Sequence, residues 1–145
     1  MNVKNTLLTI TELGMAAYWI LAILDTTNTI SIPPEYMYSD HKNKIVVAWN
    51  WSFFPMDIMF VVLGLVSRFS GISQVNKNFL SIFSLSLMFC AGIMAISYWT
   101  IMREFDVFWW GVNLWLLGLS SWCLLTQFIK AKRCSDEPIL REQVS

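Results

Sequence analysis

The chain has 145 residues, of which 56% are hydrophobic, 15% aromatic and only 14% charged. Soluble domains are about a quarter charged, so this composition is typical of an integral membrane protein. Ten basic and ten acidic residues give no net charge, which argues against a nucleic-acid binder. Too few residues remain outside the apolar stretches for a separate soluble catalytic domain. We therefore predict a single integral membrane domain over residues 1–145.

Four apolar stretches are each long enough to cross about 30 Å of hydrocarbon as a helix. Charged residues or turn formers bound each stretch, and the ranges are about 5–24, 45–67, 79–102 and 107–129. We predict an all-α membrane protein with four transmembrane helices in a left-handed bundle, joined by an outer loop over 25–44 and followed by a cytoplasmic tail over 130–145.

The first stretch resembles a signal peptide only superficially. A single Lys4 precedes it, but Glu12 interrupts its apolar run and no small-x-small cleavage site precedes Asp25. We interpret it as a retained helix.

The positive residues are unevenly distributed between the two sides that these helices define. Seven lie on the side of the termini and three on the other: Lys4, Arg68, Lys77, Lys130, Lys132, Arg133 and Arg141 against Lys42, Lys44 and Arg103. The positive-inside rule then places both termini in the cytoplasm. Tryptophan and tyrosine side chains gather near the predicted outer boundary, as interfacial aromatic residues do.

Small and polar residues recur at seven-residue spacing within each predicted helix, which predicts an inward-facing polar seam. The repeats are Asn50, Asp57 and Gly64; Asn113, Ser120 and Gln127; Ser84, Ala91 and Tyr98; and Glu12 with Trp19. In bundles such a seam is more often contact between helices than a transport pathway.

Two acids within the spans are the main functional candidates. On a rise of 1.5 Å per residue, Asp57 lies near the middle of the membrane and Glu12 roughly 10 Å from the cytoplasmic surface. Arg68 and Lys4 are too far along their own helices, so we expect neither acid to have a basic partner. We expect Asp57 to be neutral much of the time, since a low-dielectric site disfavours a bare charge. A proton relay or counter-ion role and a structural role are equally favoured for Asp57, whereas Glu12 favours the structural one.

The segment around Pro55 adds a possible pocket. A proline inside a helix removes the donor to the carbonyl of Trp51 and bends the helix. With Asn50 and Ser52, this predicts a small polar pocket under the tryptophan belt. Our candidate ligand-binding residues are Asp57, Asn50, Trp51, Ser52, Glu12, Tyr98 and Asn113, and we predict no catalytic residue.

Other sites are not indicated. The three cysteines form no CxxC pair, and no HExxH, glycine-rich phosphate loop or GxSxG motif is present. Glu35, Asp40 and His41 fit a loop surface better than a metal site. We therefore predict neither a disulfide framework nor a metal or cofactor.

The segment IPPEYMYSDHKNKIVVAWNWSFFPMD, residues 32–57, resembles the YvaD-like family of small uncharacterised four-helix membrane proteins of Bacillus and relatives. The resemblance extends over all four predicted spans. It implies a Gram-positive cell membrane and transfers no activity.

Three functions remain open. We favour an accessory or interaction protein of the cell membrane, which makes an enzymatic role the less favoured one. The alternatives are a small proton-coupled carrier or a lipid or hydrophobic-ligand binding protein with its site at Asp57, and an intramembrane lipid-modifying enzyme with Asp57 as general acid. The expected partners are membrane lipids and either another membrane protein or a small hydrophobic or cationic ligand, and not nucleic acid. A cavity at Asp57 would favour the alternatives, and a fully packed core there would exclude the enzyme.

Overall fold

A computed structural model describes residues 3–38 and 40–142, with only the backbone described for Glu35 and for residues 134–142. The described chain is helical and contains no strand. Its elements are α1 (Val3–Thr26), a 3-10 turn (Pro34–Tyr36), α2 (Lys44–Trp51), α3 (Phe54–Phe69), α4 (Gln74–Met102) and α5 (Val107–Glu142).

Four helical stretches are long and apolar enough to cross a membrane: α1, α2 with α3, α4, and α5 as far as Arg133. The predicted all-helical architecture with four candidate spans is therefore confirmed. The backbone of α5 continues to Glu142, into the predicted tail. The side chains of Cys134 and Arg141, and residues 143–145, lie outside the described part of the structure.

Successive spans run in opposite directions. Trp19 of α1 is hydrogen-bonded to Asp57 of α3, and Glu12 of α1 is hydrogen-bonded to Arg68 of α3. The residue numbers fall along α1 as they rise along α3, so the two helices are antiparallel. We call the end that carries residues 27–43 the loop end, and the end that carries Val3 and the link between α3 and α4 the tail end.

The second span is divided between two helices, and the backbone of Ser52 and Phe53 between them stays in the right-handed helical region. The α-helix stops after Trp51, and α3 begins at Phe54 with Pro55 in its first turn, where the missing proline N–H costs no helical bond. The division places Asp57 in the first turn of α3. The partial positive charge at the start of a helix favours a carboxylate there. The sequence analysis treated residues 45–67 as one continuous helix and therefore did not predict this effect.

The helices pack in the order α1, α3, α4, α5, whereas α1 and α5 touch only slightly. Gly92 allows α4 and α5 to approach closely, since a Cβ there would lie 2.9 Å from the Asn113 carbonyl oxygen. The arrangement is therefore closed on three sides and loosely closed between its first and last helices.

The outer faces of the helices carry large apolar side chains. Ile10 is 63% exposed, Val62 51% and Leu125 60%. Contiguous apolar surface of this kind is unusual for a monomeric soluble protein and suits contact with lipid.

The expectation that Glu12 lacks a basic partner is wrong. The Arg68 guanidinium donates to Glu12 Oε2 in a buried ion pair. The two residues lie on different helices, and antiparallel packing of α3 on α1 brings them together, whereas the sequence argument considered only partners on each acid's own helix. The pair lies on the tail-end side of Asp57 and joins α1 to α3.

Gly64 makes room for this ion pair. A Cβ there would clash with Glu12 Oε1 and lie 2.9 Å from Ser84 Oγ.

We therefore expect Gly64→Ala to destabilise the protein by about 1–3 kcal/mol through overpacking, measured by thermal unfolding in detergent. Gly118→Ala is the matched control, because a Cβ at Gly118 meets nothing within 4 Å and alanine favours a helix. An equal loss in both variants would contradict the role assigned to Gly64.

Candidate functional site

A cavity of about 540 Å³ lies between the helices, within the size range of ligand pockets. Every long helix contributes to its wall, and the lining is mainly apolar and aromatic. Its polar or aromatic members include Thr11, Tyr18, Trp19, Tyr38, Trp49, Asn50, Asp57, Trp99, Trp109, Asn113 and Trp115. We call it the central cavity.

The central cavity opens sideways between α1 and α5. All of its exposed lining residues lie on these two helices: Ile10, Gly14, Phe108, Gly111 and Trp115. A Cβ at either glycine would meet nothing within 4 Å. Among the hydrogen bonds described for residues 3–133, one crosses this gap, from the Trp115 indole N–H to Thr11 Oγ1 at 2.9 Å. The opening therefore lies on the apolar outer face of the protein.

Asp57 lies on the buried wall of the central cavity and is only 4% exposed. Its Oδ2 accepts a hydrogen bond of 2.9 Å from the Trp19 indole N–H. Its Oδ1 is buried and has no hydrogen-bond partner. Within the described residues the only ion pair is Arg68 with Glu12, so no described basic residue pairs with Asp57. The prediction that this side chain faces the other helices is confirmed.

Two further candidates line the same cavity. Asn50 exchanges hydrogen bonds with the Tyr18 hydroxyl, at 3.1 Å from its Nδ2 and 3.3 Å to its Oδ1. Asn113 donates from Nδ2 to the Trp109 carbonyl within its own helix. The structure thus brings Asp57, Asn50 and Asn113 to one cavity.

The other four candidates lie elsewhere. Glu12 is in its ion pair, Ser52 donates to the Trp49 carbonyl at 2.6 Å, and Tyr98 stacks on the Trp49 ring with centroids 3.8 Å apart. Trp51 lines a second cavity. None of the four lines the central cavity.

The sequence analysis did not assign Trp19 to the site, although it is the donor to Asp57. Its seven-residue spacing from Glu12 placed it on the inward face, which was the available signal. Its distance of 38 residues from Asp57 gave no local pattern that could pair the two.

A second cavity of about 510 Å³ lies at the loop end and is bounded by the end of α1, the loop and the start of α5. We call it the loop-end cavity. Its acidic side chains are Asp25, whose Oδ1 accepts from the Ile32 N–H, and Asp106, whose Oδ1 accepts from the Trp109 N–H, both at 2.9 Å. It shares five lining residues with the central cavity: Tyr18, Tyr38, Asn50, Phe108 and Trp109.

The described side chains contain no group of three or more His, Cys, Asp or Glu residues that could hold a metal. Burial raises the pKa of Tyr38, so its hydroxyl stays protonated where the two cavities meet. Chemically, the arrangement offers a large aromatic wall, one buried acid with a free oxygen, and two acids nearer the loop end. Such a wall can also attract a cation through its ring faces.

Comparison with known proteins gives a family but no activity. Residues 4–135 match the family described as "Family of unknown function (DUF5360)". The chain is 35% identical over 109 residues to the "Uncharacterized protein YvaD" of Bacillus subtilis (strain 168). The aligned region covers 74% of this chain and 78% of that relative. No solved structure matches. The predicted YvaD-like resemblance is confirmed.

The hydrogen bond from Trp19 to Asp57 can be tested by a double-mutant cycle. We expect Trp19→Phe to cost about 1–3 kcal/mol more in the native background than in Asp57→Leu, since only the first leaves a buried carboxyl without its donor. Unfolding in detergent measures both costs, and equal costs would show that the two side chains are not coupled.

Proposed function

The chain belongs to the DUF5360 family of unknown function, and we propose that it is a multi-pass cell-membrane protein that binds a small, mainly apolar ligand at Asp57. The single observation that carries this proposal is that Asp57, whose buried Oδ1 has no hydrogen-bond partner, is among the residues that line the central cavity.

A buried acceptor without a partner is costly, and native proteins usually satisfy one. A ligand that donates a hydrogen bond to Oδ1 would remove this cost while Oδ2 stays bound to Trp19. When Asp57 is ionised, the donor on the ligand is a hydroxyl or an amine, because an ether or carbonyl could only accept.

The rest of the lining favours an apolar body for the ligand. Ala91, Ala95, Phe53 and Leu116 are buried and line the cavity together with the indoles. A mainly apolar and aromatic lining with a few polar groups is typical of pockets that bind small apolar molecules.

The position of the opening favours a ligand that reaches the site from lipid. The gap between α1 and α5 lies among exposed apolar residues such as Ile10 and Phe108. A lipid-soluble molecule could pass between the helices without crossing a polar surface.

The accessory role that the sequence favoured required the polar seam to be structural throughout. Ser84 and Ser120 fit that role, because they donate to the carbonyls of Phe60 and Leu116. Asp57 does not fit it equally well, since it lines a cavity and its Oδ1 has no hydrogen-bond partner. The central cavity supports ligand binding over the accessory role, and no described contact of Asp57 favours the enzyme.

We also propose that both termini lie in the cytoplasm and the loop end lies outside, as the distribution of Lys and Arg indicates. We expect a green fluorescent protein fused to the C-terminus of the full chain to fluoresce and an alkaline phosphatase fused there to be inactive. The opposite pattern would reverse the orientation and leave the site unchanged.

Ligand binding can be tested with two probes of equal length, decanol and N,N-dimethyldecylamine, added to the protein in neutral maltoside micelles. Five indoles line the central cavity, so tryptophan fluorescence reports occupancy. We expect saturable binding of at least one probe, weakened by roughly tenfold in Asp57→Leu, which removes the acceptor.

Gly111→Leu and Gly118→Leu form a matched pair for the opening. Both glycines lie on α5, seven residues apart, and have open space at Cβ, but only Gly111 lines the cavity. We expect Gly111→Leu to slow or abolish binding and Gly118→Leu to leave it unchanged. The absence of saturable binding, or equal behaviour of the two variants, would overturn the proposed site.

A further inference from the structure

The loop-end cavity and the central cavity meet at a shared wall, which the proposed function does not use. From this juxtaposition, and resting on the proposed function, we propose that the ligand is a single-chain amine. Its ammonium head reaches Asp57 through the loop-end cavity while its apolar chain lies in the gap between α1 and α5.

The first step concerns the path of a charge. A cation crossing the hydrocarbon alone to reach Asp57 would pay a large desolvation cost. The loop-end cavity offers another path, because its lining includes Asp25, Asp106, Thr26 and Asn50. A charged head can therefore pass from one of these polar side chains to the next on its way to the central cavity.

The second step concerns the sign of the charge. Two acids, Asp25 and Asp106, are among the described lining residues of the loop-end cavity, and no Lys or Arg is among them. In the whole sequence, the loop-end segments 25–44 and 103–106 hold five acids and three bases. Acids that line a cleft raise the local concentration of a cation and disfavour an anion.

The third step concerns the wall between the cavities. Tyr18 and Asn50 are joined there by hydrogen bonds longer than 3.0 Å, and both groups can bond to an ammonium instead of to each other. Trp109 and Tyr38 present aromatic rings to both cavities, which suit a cation. The shared wall can thus be crossed by exchanging weak bonds without unpacking a helix.

The fourth step concerns the bound state. With the head on Asp57 Oδ1, the carboxyl has a donor on each oxygen, Trp19 on one and the ammonium on the other. The chain then leaves through the gap past Gly14 and Gly111, where a Cβ would meet nothing within 4 Å, and passes beside the Trp115 to Thr11 hydrogen bond that crosses the gap. The reverse arrangement would place the apolar end against Asp57 and leave Oδ1 without a partner.

The test separates the charge at the end of the path from the charges along it. Asp57→Asn keeps an acceptor for Trp19 but removes the charge. We therefore expect it to weaken the binding of N,N-dimethyldecylamine by at least tenfold and the binding of decanol by much less. In the doubly substituted variant Asp25→Asn with Asp106→Asn, each new amide can still accept the backbone bond at Oδ1. We expect this variant to lower the association rate of the amine several-fold in stopped-flow fluorescence and to leave the association rate of decanol nearly unchanged.

The control carries Asp40→Asn with Glu104→Gln, which removes the same charge from the loop end at residues that line neither cavity. We expect its association rate to stay near the native value, and the effect of the Asp25 and Asp106 substitutions to shrink in high salt. Equal rates in the two double variants would overturn the path, and equal affinities for amine and alcohol would overturn the ammonium head. Either result is distinct from failure of the proposed function, in which neither chain-matched probe binds.

Discussion

The hydrogen bond from the Trp19 indole to Asp57 is the contact on which the site depends. It joins α1 to α3 at the wall of the central cavity and leaves the second carboxyl oxygen buried without a partner. Asp57 lies in the first turn of α3, where the partial positive charge of the helix start stabilises a carboxylate.

Much of the architecture could be predicted from residue patterns, because lipid imposes simple rules on length and apolarity. The four candidate spans and the inward faces that carry Asp57, Ser84 and Ser120 followed from those rules. The ion pair of Glu12 with Arg68 did not, since it depends on the vertical register of two antiparallel helices. The seven-residue pattern gives a face and says nothing about register.

The candidate site was predictable to a similar degree. The residues Asp57, Asn50 and Asn113 line one cavity because each lies on an inward face. The gap between α1 and α5 could not be foreseen, because it results from which helices pack against each other. Trp51, Ser52 and Tyr98 were linked to the site by their nearness to Asp57 or to the aromatic belt, and the division before α3 directs the first two elsewhere.

The slight contact between α1 and α5 has a mechanical consequence. Helix α1 is held mainly by α3, through Trp19 at one level and Glu12 at another. Outward displacement of α1 from α5 would break only the Trp115 to Thr11 bond among the hydrogen bonds described between these two helices. The boundary between α1 and α5 is therefore where the opening can widen at the lowest cost in described contacts.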